Sequence, residues 1–113
     1  MWLVTTRGFY SVVENHDDPD GLLVRARVRE DLESLAELIP GLEIEETPDR
    51  DYRFRASVAR DAWGIAAGEL GREIDYPNFK DAVAERQGSS RAHVYSGVWG
   101  ILLELQEGGR YRR

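Results

Sequence analysis

The sequence predicts an α+β domain: a mainly antiparallel four-stranded sheet, elements in the order ββαββα, followed by two C-terminal helices. The first observation behind this is a strand pattern that occurs twice. Arg25, Ala26, Val28 and Asp31 return thirty positions later as Arg55, Ala56, Val58 and Asp61, each copy reading RAxVxxD. In both, small or apolar residues alternate with arginine: Val24, Ala26 and Val28 against Arg25 and Arg27, then Tyr52, Phe54, Ala56 and Val58 against Arg53 and Arg55. A period of two puts one set on a core and the other on the opposite face. The second observation is punctuation: each such strand is preceded by a turn and an earlier β-rich run, and followed by apolar residues at helical spacing.

The elements follow in order. Trp2 to Glu14 is rich in Val, Thr and aromatic residues and reads as the first strand, with Gly8 marking a bulge that leaves open whether Phe9 or Tyr10 faces the core. Asn15 to Gly21 is an acidic turn into the second strand. Leu32, Leu35, Leu38 and Ile39 have helical spacing, with Glu30 and Asp31 in the first turn, where carboxylates suit the helix dipole. Pro40 and Gly41 end that helix, and Leu42 and Ile44 alternate with Glu43 and Glu45 as a third strand. After Tyr52 to Val58, Ser57 caps a second helix with the stripe Trp63, Ala67, Leu70 and Ile74. Gly64 and Gly68, four apart, line a face of it that another backbone can approach. Asp75 to Asn78 opens a third helix carrying Phe79, Ala82 and Val83. The fourth runs from Ser90 with Val94, Val98, Ile101, Leu102 and Leu105 in one stripe, widened by Tyr95 and Trp99.

Composition sets the bounds. A chain of 113 residues with 42% hydrophobic content suits one core, predicted as a single domain over residues 1–107 with a basic tail at 108–113. There is no cysteine, which excludes a disulfide scaffold, a thiolate metal site and a cysteine nucleophile. No cationic leader precedes an apolar segment, and no apolar run approaches the ~18 residues of a membrane span, so a cytoplasmic protein with no membrane association is expected. Lys80 is the only lysine among 15 basic residues, and the net charge is -6. Basic residues on the sheet are therefore segregated rather than abundant.

Three groups of residues are candidates for function. Arg25, Arg27, Arg53 and Arg55 share the outward face, where planar guanidinium groups can hold phosphates beside Phe9 or Tyr10 as stacking surfaces. Against this, Glu43 and Glu45 have the same parity on the neighbouring strand and are expected to pair with Arg53 and Arg55. In DYPNFKD (75–81), Lys80 stands beside a helix N-terminus suited to an anion, whereas the structural alternative is a capped helix start with Tyr76 and Phe79 in the core. On the last helix, His93, Gly97 and Gly100 form a shallow strip that with Tyr95 and Trp99 suits a helix interface. His93 could act as a general base, which keeps a small hydrolase as a remote third reading, but with no nucleophile motif nearby a hydrogen-bonding or interface histidine is the expectation. No metal-ligand spacing, phosphate loop or dinucleotide fingerprint is present, so neither an enzyme nor a cofactor is expected.

The segments TTRGFYSVVE (5–14), VRARVREDL (24–32), DYRFRASV (51–58), DYPNFKDAV (75–83) and RAHVYSGVW (91–99) resemble a family of short bacterial proteins of about this length with no assigned activity. The resemblance covers nearly the whole chain. It implies a self-contained domain and assigns no chemistry. The functional expectation therefore rests on the residues: a non-enzymatic protein recognising an anionic ligand, nucleic acid or nucleotide, through its arginine-bearing sheet face. The alternative is a protein interaction or homo-oligomeric assembly module, such as a homodimer, using the C-terminal helix.

Overall fold

Five strands rather than four build the sheet, because the opening segment folds back on itself. In the computed structural model, which describes residues 1–107, β1 (Trp2–Val4) and β2 (Phe9–Asn15) form an antiparallel hairpin. Its turn is held by Thr5, whose N–H and hydroxyl both donate to the Gly8 carbonyl at 2.9 and 2.8 Å. The same hydroxyl oxygen accepts from the Arg7 and Gly8 N–H groups. Gly8 thus closes a turn and is not a bulge within one strand. Tyr10 faces the core and is fully buried, while Phe9 lies on the other side.

The chain continues through β3 (Asp18–Ala26), α1 (Arg29–Ala36), β4 (Glu45–Glu46), β5 (Phe54–Ala59) and α2 (Arg60–Arg72). The strand order is β1-β2-β3-β5-β4, antiparallel throughout. The predicted α+β class and antiparallel sheet are present; the strand count and the order ββαββα are corrected to βββαββα. The predicted third strand shrinks to Glu45 and Glu46, and Leu42 and Ile44, which precede it, are half-buried against the core.

Helices α1 and α2 cover one face. The core beneath them joins Tyr10 and Val12 of β2, Val24 and Ala26 of β3 and Val58 of β5 to Leu32, Leu35, Ile39, Trp63 and Ala66. Leu32 and Leu35 are wholly buried, contributing about 1.5–3 kcal/mol each. The second helix starts at the N-cap Ala59 with no side-chain cap, and Ser57 instead points to the outer sheet face, where its hydroxyl accepts from Asn15. Ile74 follows the helix end and is exposed, not part of the stripe.

Among the described residues no backbone other than the helix's own approaches the glycines of α2. A Cβ at Gly64 would meet nothing within 4 Å, and one at Gly68 only the tip of Arg72 at 3.5 Å. Gly64→Ala is therefore expected to stabilise the protein by about 0.5–1 kcal/mol, read as a higher midpoint in urea unfolding. An unchanged or lower midpoint would show that this face is occupied in solution.

Among the described residues the chain divides into two compact units, residues 1–75 and 76–107. The second unit contains α3 (Phe79–Gln87), α4 (Ser89–Leu102) and α5 (Glu104–Glu107), which follows Leu103 in helical conformation. Asn78 caps α3 by accepting from the Asp81 N–H at 2.9 Å. Tyr76 and Phe79 lie 6.0 Å apart, and Phe79 stacks on Tyr95 of α4 at 6.0 Å. The basic tail at 108–113 lies outside the described residues. Among the described residues no helix is long and apolar enough to cross a membrane.

Candidate functional site: the outer sheet face

Alternation along the strands sends every second side chain away from α1 and α2. Trp2 of β1 opposes Ser11 of β2, Ser11 opposes Arg25 of β3, Arg25 opposes Arg55 of β5 and Arg55 opposes Glu45 of β4. One row thus crosses all five strands, with neighbours about 5 Å apart. At its centre two arginines face each other directly, an arrangement that costs stability unless something neutralises it.

Tyr52 forms the floor of this region. The residue precedes β5 and is only 4% exposed, because Arg25 and Arg27 lie over its ring with guanidinium carbons 4.6 and 4.3 Å from the centroid. Phe9 packs on Tyr52 at 6.4 Å and Trp2 packs edge-on against Phe9 at 6.2 Å, leaving Trp2 75% exposed. The aromatic row therefore leads from a buried ring under the arginines to a free one at the sheet edge.

The arginine partners are mostly neutral. Arg25 Nη2 donates to the Ser11 hydroxyl at 2.7 Å, while its Nε is buried without a hydrogen-bond partner. Arg27 donates to the Asp51 carbonyl at 2.6 Å. Arg55 donates to the Thr47 hydroxyl at 3.1 Å and the Tyr52 carbonyl at 3.3 Å. Only Arg53 has a carboxylate: it leaves the row and pairs with Glu46 at 2.8 Å. The expected pairing of Glu43 and Glu45 with Arg53 and Arg55 is corrected accordingly. The shortened β4 places Glu45 opposite Arg55 without an ion pair, and Glu43 lies before the strand.

Among the described residues, Arg7, Arg29, Arg53, Arg60 and Arg72 form ion pairs, and Arg25, Arg27 and Arg55 do not. Because acidic residues outnumber basic ones 21 to 15, three adjacent arginines left without carboxylates are a local exception to the charge of the chain.

The remaining candidates lie in the second unit. Lys80 is exposed on α3 in the second unit, whose first-turn N–H of Asp81 is already taken by the Asn78 cap. On α4, His93, Gly97 and Trp99 are exposed, whereas Tyr95 is buried against Phe79 and accepts a 3.1 Å hydrogen bond from Arg91. No group of three or more His, Asp or Glu among the described residues can hold a metal ion.

Sequence reasoning missed Arg7. From the hairpin turn its guanidinium reaches the C-terminal ends of both sheet-covering helices: Nε donates to both Glu73 oxygens at 3.0 and 2.9 Å, and Nη1 to the Ser34 carbonyl and to Glu37 at 2.8 and 2.6 Å. The Glu73 hydrogen bond chiefly raises its pKa well above the usual arginine value. Its positive charge is accordingly constant across all ordinary pH. The sequence reads this position as part of the first strand, and nothing in that reading reveals partners 27 to 66 positions away.

Comparisons of the chain with protein-family models, curated proteins and solved structures gave no match.

Proposed function

We propose that this is a non-enzymatic binding protein that takes an anionic ligand, nucleic acid or nucleotide, on the outer sheet face. The observation that carries the reading is the set Arg25, Arg27 and Arg55, adjacent and without a carboxylate partner among the described residues. Two unfavourable features coincide there: like charges opposed across the ladder and a buried Arg25 Nε without a hydrogen bond. An anion relieves the first, since charge-assisted bonds to guanidinium are the strongest available to these groups. Tyr52 holds the two guanidiniums by cation–π contact, which limits their freedom before binding. The exposed Trp2 and the adjoining Phe9 supply ring faces for a base.

The test is a titration with RNA, DNA and nucleotides over a range of salt. Binding is expected at low ionic strength and should weaken as salt rises. Arg25→Ala and Arg27→Ala should each weaken it about tenfold, the equivalent of ~1.4 kcal/mol, and flatten the salt slope. Absence of binding to the whole panel at low salt, or binding indifferent to both substitutions, overturns the reading.

A further inference from the structure

Helix α4 is apolar on two opposite sides. Ala92 and Tyr95 are buried, with Tyr95 stacked on Phe79 of α3. Turned away from them, Val94, Val98 and Ile101, with Leu105 on α5, are 61%, 38%, 66% and 56% exposed. Their steps of four, three and four residues are the a/d spacing of a seam between two helices. A helix apolar on both sides needs a partner on each, and α3 supplies only one.

We infer that α4 and α5 pair, antiparallel, with the same helices of a second copy of this chain. The spacing calls for a helix with a matching exposed seam. Among the described residues only this one has it, since α1 and α2 turn their apolar faces to the sheet core and α3 buries Ala82 and Val83. The size is adequate. Together with the exposed Leu102, the four seam residues present on the order of 500 Å² per copy, so a symmetric pair removes about 1,000 Å², the threshold of a specific interface. Gly97, flanking the seam, has nothing within 4 Å of a Cβ position, which lets the partner backbone approach.

The helix dipole selects the orientation. A parallel pair would set the two dipoles side by side in the same sense, whereas an antiparallel pair opposes them. In that arrangement Val98 meets Ile101 of the second copy and Val94 meets its Leu105. This face belongs to the second unit, so the inference stands independently of anion binding.

Sedimentation and light scattering of the full chain decide it. A mass of twice 12.9 kDa is expected, falling to a monomer on dilution. Ile101→Glu should raise the dimer dissociation constant at least tenfold with unchanged circular dichroism, while Ile65→Glu, at an equally exposed position on α2, should leave the dimer intact. Under a mild oxidant, Val94→Cys and Leu105→Cys proteins mixed together should form a mixed disulfide, with neither self-linking efficiently. A wild-type monomer up to the solubility limit, a dimer indifferent to Ile101→Glu, or efficient self-linking of Leu105→Cys overturns the inference.

Discussion

Arg7→Met is expected to lower stability by about 3 kcal/mol, seen in chemical unfolding as a lower midpoint at unchanged slope. The side chain is 19% exposed and Glu73 30%, so the pair is partly withdrawn from water. Removing the guanidinium takes its bonds from the Glu73 carboxylate and the Ser34 carbonyl, near helix ends whose dipoles already carry negative charge. Methionine preserves most of the apolar stem, so the loss reports the lost bonds and not a cavity. Arg7→Lys should recover only part of it, because an ammonium group cannot span Glu73, Glu37 and the carbonyl with the same fork. A loss under about 1 kcal/mol would instead class this cluster with ordinary surface pairs.

Gly8→Ala should cost a similar amount, about 3 kcal/mol, and lower Tm by roughly 10 °C. A Cβ at Gly8 would run into the carboxyl group of Asp31, which is 3% exposed and accepts the Phe9 N–H at 3.0 Å. The alanine must displace that carboxylate or the hairpin, and either breaks the bond that joins β2 to the start of α1. The Tyr10 hydroxyl adds a second tie at this point, donating to the Asp31 carbonyl at 2.7 Å. Pairing Gly8→Ala with Asp31→Gly, which removes the Asp31 Cβ as well as the carboxyl group, distinguishes the mechanism: if the clash dominates, the double substitution costs less than the sum of the two. Strict additivity would place the effect elsewhere.

What was legible in the sequence was whatever depends on period. Alternation at Val24, Ala26, Ala56 and Val58 predicts their inward direction, and helical spacing predicts Leu32 and Leu35, all of them buried. What was not legible depends on where the chain turns. Thr5 to Gly8 carries too little turn chemistry to separate two strands by pattern alone, so β1 and β2 read as one. The same four-residue offset that marks a packed glycine face also fits glycines with open space around them, as at Gly64. The two aspartates of the repeat show the limit of identity in sequence. Asp31 is buried under the hairpin, whereas Asp61 is exposed, because only the first has a turn lying over it.

For the arginine face, parity identified which side chains share a side but not which acids reach them. Glu45 has the right parity for Arg55, yet the ion pair present is Glu46 with Arg53, because Arg53 lies ahead of the strand and is not bound by its alternation. Tyr52 read as a core residue from the same pattern. It is buried as expected, but beneath Arg25 and Arg27 on the outer side, so its burial is made by the side chains it supports.

The two RAxVxxD copies run in opposite directions on neighbouring strands, with Arg25 opposite Arg55. A local half-turn axis, normal to the sheet, therefore passes between these two arginines and relates Arg25 and Ala26 to Arg55 and Ala56. On the proposed reading, the centre of the site then has a symmetry that its ligand can share. A group with two equivalent terminal oxygens, as in a phosphodiester, offers one to each guanidinium from opposite strand directions, so a single chain meets one such group at one point.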